Sequence, residues 1–84
     1  MEHRFIFSQT IEKELAALDS QIRHRIVRKL LFWEATKIPL FFGTRLIGTK
    51  DRIRFRVGDY RVVCAVEGSV LKILKIAHRK EVYE

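Results

Sequence analysis

The sequence predicts an α+β domain: an N-terminal strand, a helical hairpin, then three antiparallel strands, with the helices packed on one face of a four-stranded sheet. Three observations lead there. Apolar residues recur at helical spacing between residues 11 and 33, they alternate with polar ones from residue 52 onward, and the single proline, Pro39, separates the two patterns. At 84 residues there is room for one core, so residues 1–84 read as a single domain.

His3 to Phe7 reads as a short strand with Phe5 and Phe7 on one side, stopping at Ser8. Ser8 or Thr10 can cap the first helix, in which Ile11, Leu15 and Leu18 share a face and Glu12, Lys13 and Glu14 point outward. Asp19 and Ser20 offer caps for the second, whose apolar stripe is Ile22, Ile26, Val27, Leu30, Leu31 and Trp33. Arg23, His24, Arg25, Arg28 and Lys29 fall mostly off that stripe and read as a solvated face. Gly43 and Gly48 bracket a loop near Arg45, and Phe41 and Phe42 read as a lid over the core.

From Arg52 the period is two. Ile53, Phe55 and Val57 alternate with Arg52, Arg54 and Arg56, and Gly58-Asp59 fits a two-residue hairpin loop with glycine at its first central position. Such a loop fixes the register: Val57 faces Tyr60, Arg56 faces Arg61, Phe55 faces Val62 and Ile53 faces Cys64. Residues Val70 to Ala77 form the last strand after a turn near Glu67-Gly68; a two-residue loop there puts Lys72, Leu74, Ile76 and His78 on the arginine side and Leu71 and Ile73 in the core.

Composition narrows the function. The 17 Lys and Arg against 10 Asp and Glu favour an anionic partner, and the excess is concentrated: net +2 over residues 1–42, net +5 over residues 43–84. The lone Cys64 cannot form an internal disulfide, and no apolar run approaches a membrane span, so a cytoplasmic location is expected. His3, His24 and His78 lack metal-ligand spacing and the four glycines are scattered, so neither metal nor nucleotide cofactor is expected. Opposed like charges on neighbouring strands weaken pairing by about 0.2–1 kcal/mol per pair, so Arg52, Arg54, Arg56 and Arg61 on one face imply a compensating anion.

The tail His78-Arg79-Lys80-Glu81-Val82-Tyr83 adds a histidine and a tyrosine beside those cations. Together with Phe55-Arg56-Val57-Gly58-Asp59-Tyr60-Arg61-Val62-Val63 it resembles the RelE branch of the RelE/ParE toxin superfamily, the toxic halves of type II toxin–antitoxin pairs. The resemblance implies an endoribonuclease that enters the ribosomal A site and cuts messenger RNA without a metal, until an acidic antitoxin wraps around it. It implies catalytic roles for Tyr83, His78, Arg61 and Arg54 and RNA contacts at Arg52 and Arg79; Arg56, Lys80 and Arg45 are further cations expected to contact RNA. Several RelE-like enzymes carry lysines where this strand has Arg52 and Arg54; arginine cannot shuttle a proton, which leaves acid–base work to Tyr83 and His78. The rival readings are a ParE-like toxin that inhibits DNA gyrase by binding and a non-catalytic RNA-binding module.

Overall fold

The computed structural model describes residues 2–81. Strand β1 (Arg4–Ile6) leads into helices α1 (Gln9–Ala16) and α2 (Ser20–Ala35), a 3-10 turn (Pro39–Phe42), and strands β2 (Thr44–Arg45), β3 (Arg52–Val57), β4 (Tyr60–Glu67) and β5 (Val70–His78). The sheet has five strands in the order β1-β5-β4-β3-β2, not four. The extra strand is the two-residue β2, which pairs with β3 inside what the sequence marks only as a loop. β1 pairs with β5 in parallel, Phe5 opposite Leu71, which the helical crossover between them makes possible.

Both helix starts are capped as the sequence predicts. Ser8 Oγ accepts from the Ile11 N–H at 3.1 Å, and Asp19 Oδ2 accepts from the Gln21 N–H at 3.0 Å. α1 lies over β5, and α2 lies over β1 and β3. A Glu34 carboxylate oxygen accepts from the Phe5 N–H at 2.9 Å, tying the last turn of α2 to the edge strand. Ile26, Leu30 and Trp33, spaced four and three apart, are the buried face of α2; Leu31 is 51% exposed, a quarter-turn from Leu30, and so leaves the predicted stripe. The lid is half as large as expected: Phe42 stacks on Trp33 with centroids 5.8 Å apart, whereas Phe41 is 77% exposed. Among the described residues no helix is long and apolar enough to cross a membrane.

Phe55 is fully buried at the centre of the core, its ring 5.2 Å from that of Phe5 and 5.4 Å from that of Trp33. The backbone passes close to it at Gly43. A Cβ there would stand 2.9 Å from Ile53 Cγ2 and 3.1 Å from the Phe55 ring. Gly43→Ala is therefore expected to cost about 1–3 kcal/mol through overpacking, read as a lower urea midpoint; an unchanged midpoint would show that the loop simply moves aside.

Cys64, also fully buried, has its thiol pushed up from 9.0 to about 12 by desolvation. Below about pH 8 the thiol is neutral whether the chain is folded or not, and it contributes nothing to pH dependence. Above pH 9 the unfolded chain loses that proton and the folded one keeps it, so stability falls by about 1.4 kcal/mol per pH unit. Urea melts at pH 8 and pH 10 should show a drop from this source that is absent in Cys64→Ala; equal drops in both would place the titration elsewhere.

Candidate functional site

The β3–β4 hairpin has the register that Gly58-Asp59 predicts, with Val57 opposite Tyr60, Arg56 opposite Arg61, Phe55 opposite Val62 and Ile53 opposite Cys64. Gly58 sits at φ +58, a value that favours glycine at the first position of this tight turn. Cross-strand partners share a face, so Arg52, Arg54, Arg56 and Arg61 lie together on the side away from the helices.

The β4–β5 hairpin does turn through two residues, Glu67 opposite Val70, but its register slips between Cys64, which faces Ile73, and Val63, which faces Lys75. Leu74 is the extra residue of a β-bulge. The predicted facing of β5 therefore holds only as far as Ile73. Lys72 is on the arginine face, but Ile76 is buried opposite Val62 and His78 faces Tyr60 on the helix side. Lys75 takes the place on the arginine face, in one row with Arg54 and Val63. Sequence reading missed this lysine, although a signal was present: strict alternation from Leu71 and Ile73 would bury Lys75, and an unpaired buried ammonium costs far more than one bulge.

Three rows result: Arg52, Ala65 and Lys72; Arg54, Val63 and Lys75; Arg56, Arg61 and Ala77. Ala65 and Ala77 are buried on this outer face, Ala65 between Arg52 and Lys72 in its row and Ala77 beside Arg61. β3 contains no acidic residue, nor does β5. Arg52 pairs with Asp51 at 2.9 Å. Arg61 folds back over the hairpin, donating from Nη1 to the carbonyls of Gly58 at 3.0 Å and Tyr60 at 3.1 Å. Partial desolvation and then the neighbouring cations Arg56, Arg54 and Arg79 lower its pKa, with Asp59 opposing them. Local repulsion of this kind is what a bound phosphate would relieve.

The turn after β5 is tied to the same end of the sheet. The Arg79 N–H donates to the Asp59 carbonyl at 2.7 Å, and the Arg79 guanidinium lies 3.7 Å from Asp59 Oδ1. His78 donates its N–H to a Glu81 carboxylate oxygen at 3.1 Å and accepts from the Lys80 N–H at its Nδ1 at 3.2 Å. Its ring meets Tyr60 edge-on, centroids 5.4 Å apart. Arg79 thus joins the arginines at the hairpin end, whereas the Lys80 backbone is held against the His78 ring on the helix side. Arg45 stands apart: it pairs with Ile53 on the outer edge and its guanidinium donates to the Lys50 carbonyl. Tyr83 lies outside the described residues.

A family model described as the ParE toxin of the type II toxin–antitoxin system parDE matches residues 5–83. The chain belongs to the RelE/ParE toxin superfamily. Among the relatives of this toxin, Toxin RelE3 of Methanocaldococcus jannaschii is 29% identical over 86 residues, 96% of each chain. The RelE chain solved in the archaeal RelE–RelB complex of Pyrococcus horikoshii is 31% identical, with a TM-score of 0.71, 98% of this chain and all of that one covered. The fold also matches the RelBE2 toxin–antitoxin complex of Mycobacterium tuberculosis at a TM-score of 0.76 and 23% identity, over 94% of this chain and 100% of that one. Those two solved relatives are complexes of toxin with antitoxin.

Proposed function

We propose that this RelE/ParE toxin is a ribonuclease that cuts messenger RNA on the ribosome. The observation that carries the reading is the cationic face itself: six side chains, Arg52, Arg54, Arg56, Arg61, Lys72 and Lys75, on three adjacent strands. Phosphate contact through guanidinium groups supplies affinity and positive charge around a reacting phosphorus together.

Cleavage would proceed by attack of the 2′ oxygen on the adjacent phosphorus, forming the 2′-O–P bond as the P–O5′ bond breaks. A base takes the 2′ proton and an acid supplies one to the departing 5′ oxygen. Arg54 and Arg61 bind the non-bridging oxygens and stabilise the charge that grows there; they transfer no proton. Tyr83 and His78 are assigned the proton transfers by resemblance to the family. His78 lies on the helix side of the sheet, whereas Lys75, in the row of Arg54, is on the arginine face and is able to carry a proton. No step invokes a metal. An acidic antitoxin, which folds as it covers the basic face, would silence the enzyme as RelB-type partners accompany the solved relatives.

The match to a ParE family model favours one second reading, gyrase inhibition by binding alone. Primer extension on a message being translated in a reconstituted system separates the two. New 5′ ends that require both ribosome and toxin, and vanish with Tyr83→Phe, support the nuclease. Arrested growth with no new ends and a loss of DNA supercoiling activity would replace it with the gyrase reading.

A further inference from the structure

We propose that the N-terminal half of α2 is a second phosphate-binding surface, taking the single-stranded RNA that leaves the arginine face around the tip of the β3–β4 hairpin. The inference rests on the RNA reading above and extends the footprint to another side of the molecule.

From Ser20 to Trp33 the helix contains no acidic residue and five cationic or titratable side chains: Arg23, His24, Arg25, Arg28 and Lys29. Apart from the capping Asp19 its first turn has no acid, and Arg23 stands there against the positive end of the helix dipole. Two of the five have structural uses. Arg23 donates to the carbonyls of Ala16 and Leu18 and so closes the end of α1, and the Lys29 ammonium lies 5.8 Å from the rings of both Phe32 and Trp33. His24, Arg25 and Arg28 form no ion pair or side-chain hydrogen bond among the described residues. They line an open groove of about 780 Å³.

Arg25 joins this groove to the candidate site. Its guanidinium packs against the hairpin tip, with atoms 3.2–3.3 Å from where a Gly58 Cβ would stand. A smaller cavity of about 150 Å³ separates α2 from the tip, between Arg25, Asp59 and Tyr60. Arg56 and Arg61 occupy the other side of the same tip, and the Asp59 carboxylate there already faces Arg79. Positive charge therefore continues from the sheet, past a two-residue turn, onto the helix. A polyanion chain fits such a band better than a partner helix does. The described lining of the groove has Val27 as its one apolar residue, whereas an amphipathic helix needs an apolar stripe to dock on.

The test is the salt dependence of binding to a 20-nucleotide RNA made of 2′-O-methyl nucleotides, which cannot attack its own phosphates. Arg25→Gln with Arg28→Gln should reduce the slope of log K against log salt by roughly 1.4, about 0.7 for each lost contact. Arg28→Gln alone, which leaves the hairpin contact intact, should reduce it by about half as much. A charge-matched control, Lys13→Gln with Lys37→Gln, should leave the slope unchanged. If Arg54→Gln and Arg61→Gln lower the slope while the α2 substitutions do not, or the control falls equally, the proposal is overturned and the RNA reading stands. If none of these substitutions alters the slope, the RNA reading itself fails and takes the α2 surface with it. Loss of antitoxin binding in the α2 variants with RNA binding intact would overturn the proposal by assigning the surface to protein.

Discussion

Arg61→Ala is expected to reduce ribosome-dependent messenger cleavage by about 10²–10³-fold while leaving the protein folded. Arg61 stands opposite Arg56 with Arg79 close by, and its own guanidinium is braced by the carbonyls of Gly58 and Tyr60. That bracing holds a charge in place before substrate arrives, so little reorganisation is needed as charge grows on the phosphate. Loss of the two backbone hydrogen bonds should cost little stability, because the side chain is at the surface and its acceptors remain open to water. Arg61→Lys keeps the charge but loses the fork geometry and should recover only part of the rate. The measurement is the yield of primer-extension ends at matched toxin concentration, with thermal melts as the control for folding. Cleavage within threefold of the wild type would remove Arg61 from the reaction and leave it as a surface cation.

The part of the fold that could be read from the sequence is the part governed by local chemistry. Gly58-Asp59 sets the β3–β4 register because a two-residue turn leaves one pairing open to the strands, and Ser8 and Asp19 start helices where their side chains meet free N–H groups. Three features resisted. β2 is two residues long and owes its pairing to β3 rather than to any β propensity of Thr44–Arg45. Leu31 has the chemistry of a core residue, and only the helix phase set by Ile26, Leu30 and Trp33 turns it outward. The Leu74 bulge depends on a competition between a lost ladder bond and a buried Lys75, which alternation alone does not weigh.

The same bulge decides how much of the candidate site was legible. The four arginines of β3 and β4 follow from alternation and a fixed turn, so their common face was readable. His78 and Lys75 follow the bulge, and one extra residue exchanges their sides: the histidine passes to Tyr60 and the lysine to Arg54. Arg45 is expected at the site only as a further cation, and the edge pairing with Ile53 sets it on the helix side. The assignments from family resemblance at Tyr83 concern a position beyond the described residues. Lys75 therefore has a stronger geometric connection to the arginine row than His78 does, although the sequence motif highlights only the histidine.

Phe55→Ala is expected to destabilise the fold by about 3–5 kcal/mol, a large share of the roughly 5–15 kcal/mol that holds such a domain together. Phe55 is completely buried, touches the rings of Phe5 and Trp33, and lies against Gly43, where the backbone leaves no slack. Collapse into the vacated space would have to draw in β1, α2 and the Gly43 loop at once, so most of the cavity should persist. The melting temperature should fall by at least about 12 °C, at roughly 4–8 °C per kcal/mol. Phe55 also lies between Arg54 and Arg56 in β3, with its side chain on the opposite face. Loosening the core beneath that strand should lower RNA affinity even at temperatures where the variant remains folded. Phe55→Leu, which retains much of the volume, should recover most of both losses. A melting temperature within about 3 °C of the wild type would mean that the core does not depend on this ring, and that the arginine face is supported from elsewhere in the sheet.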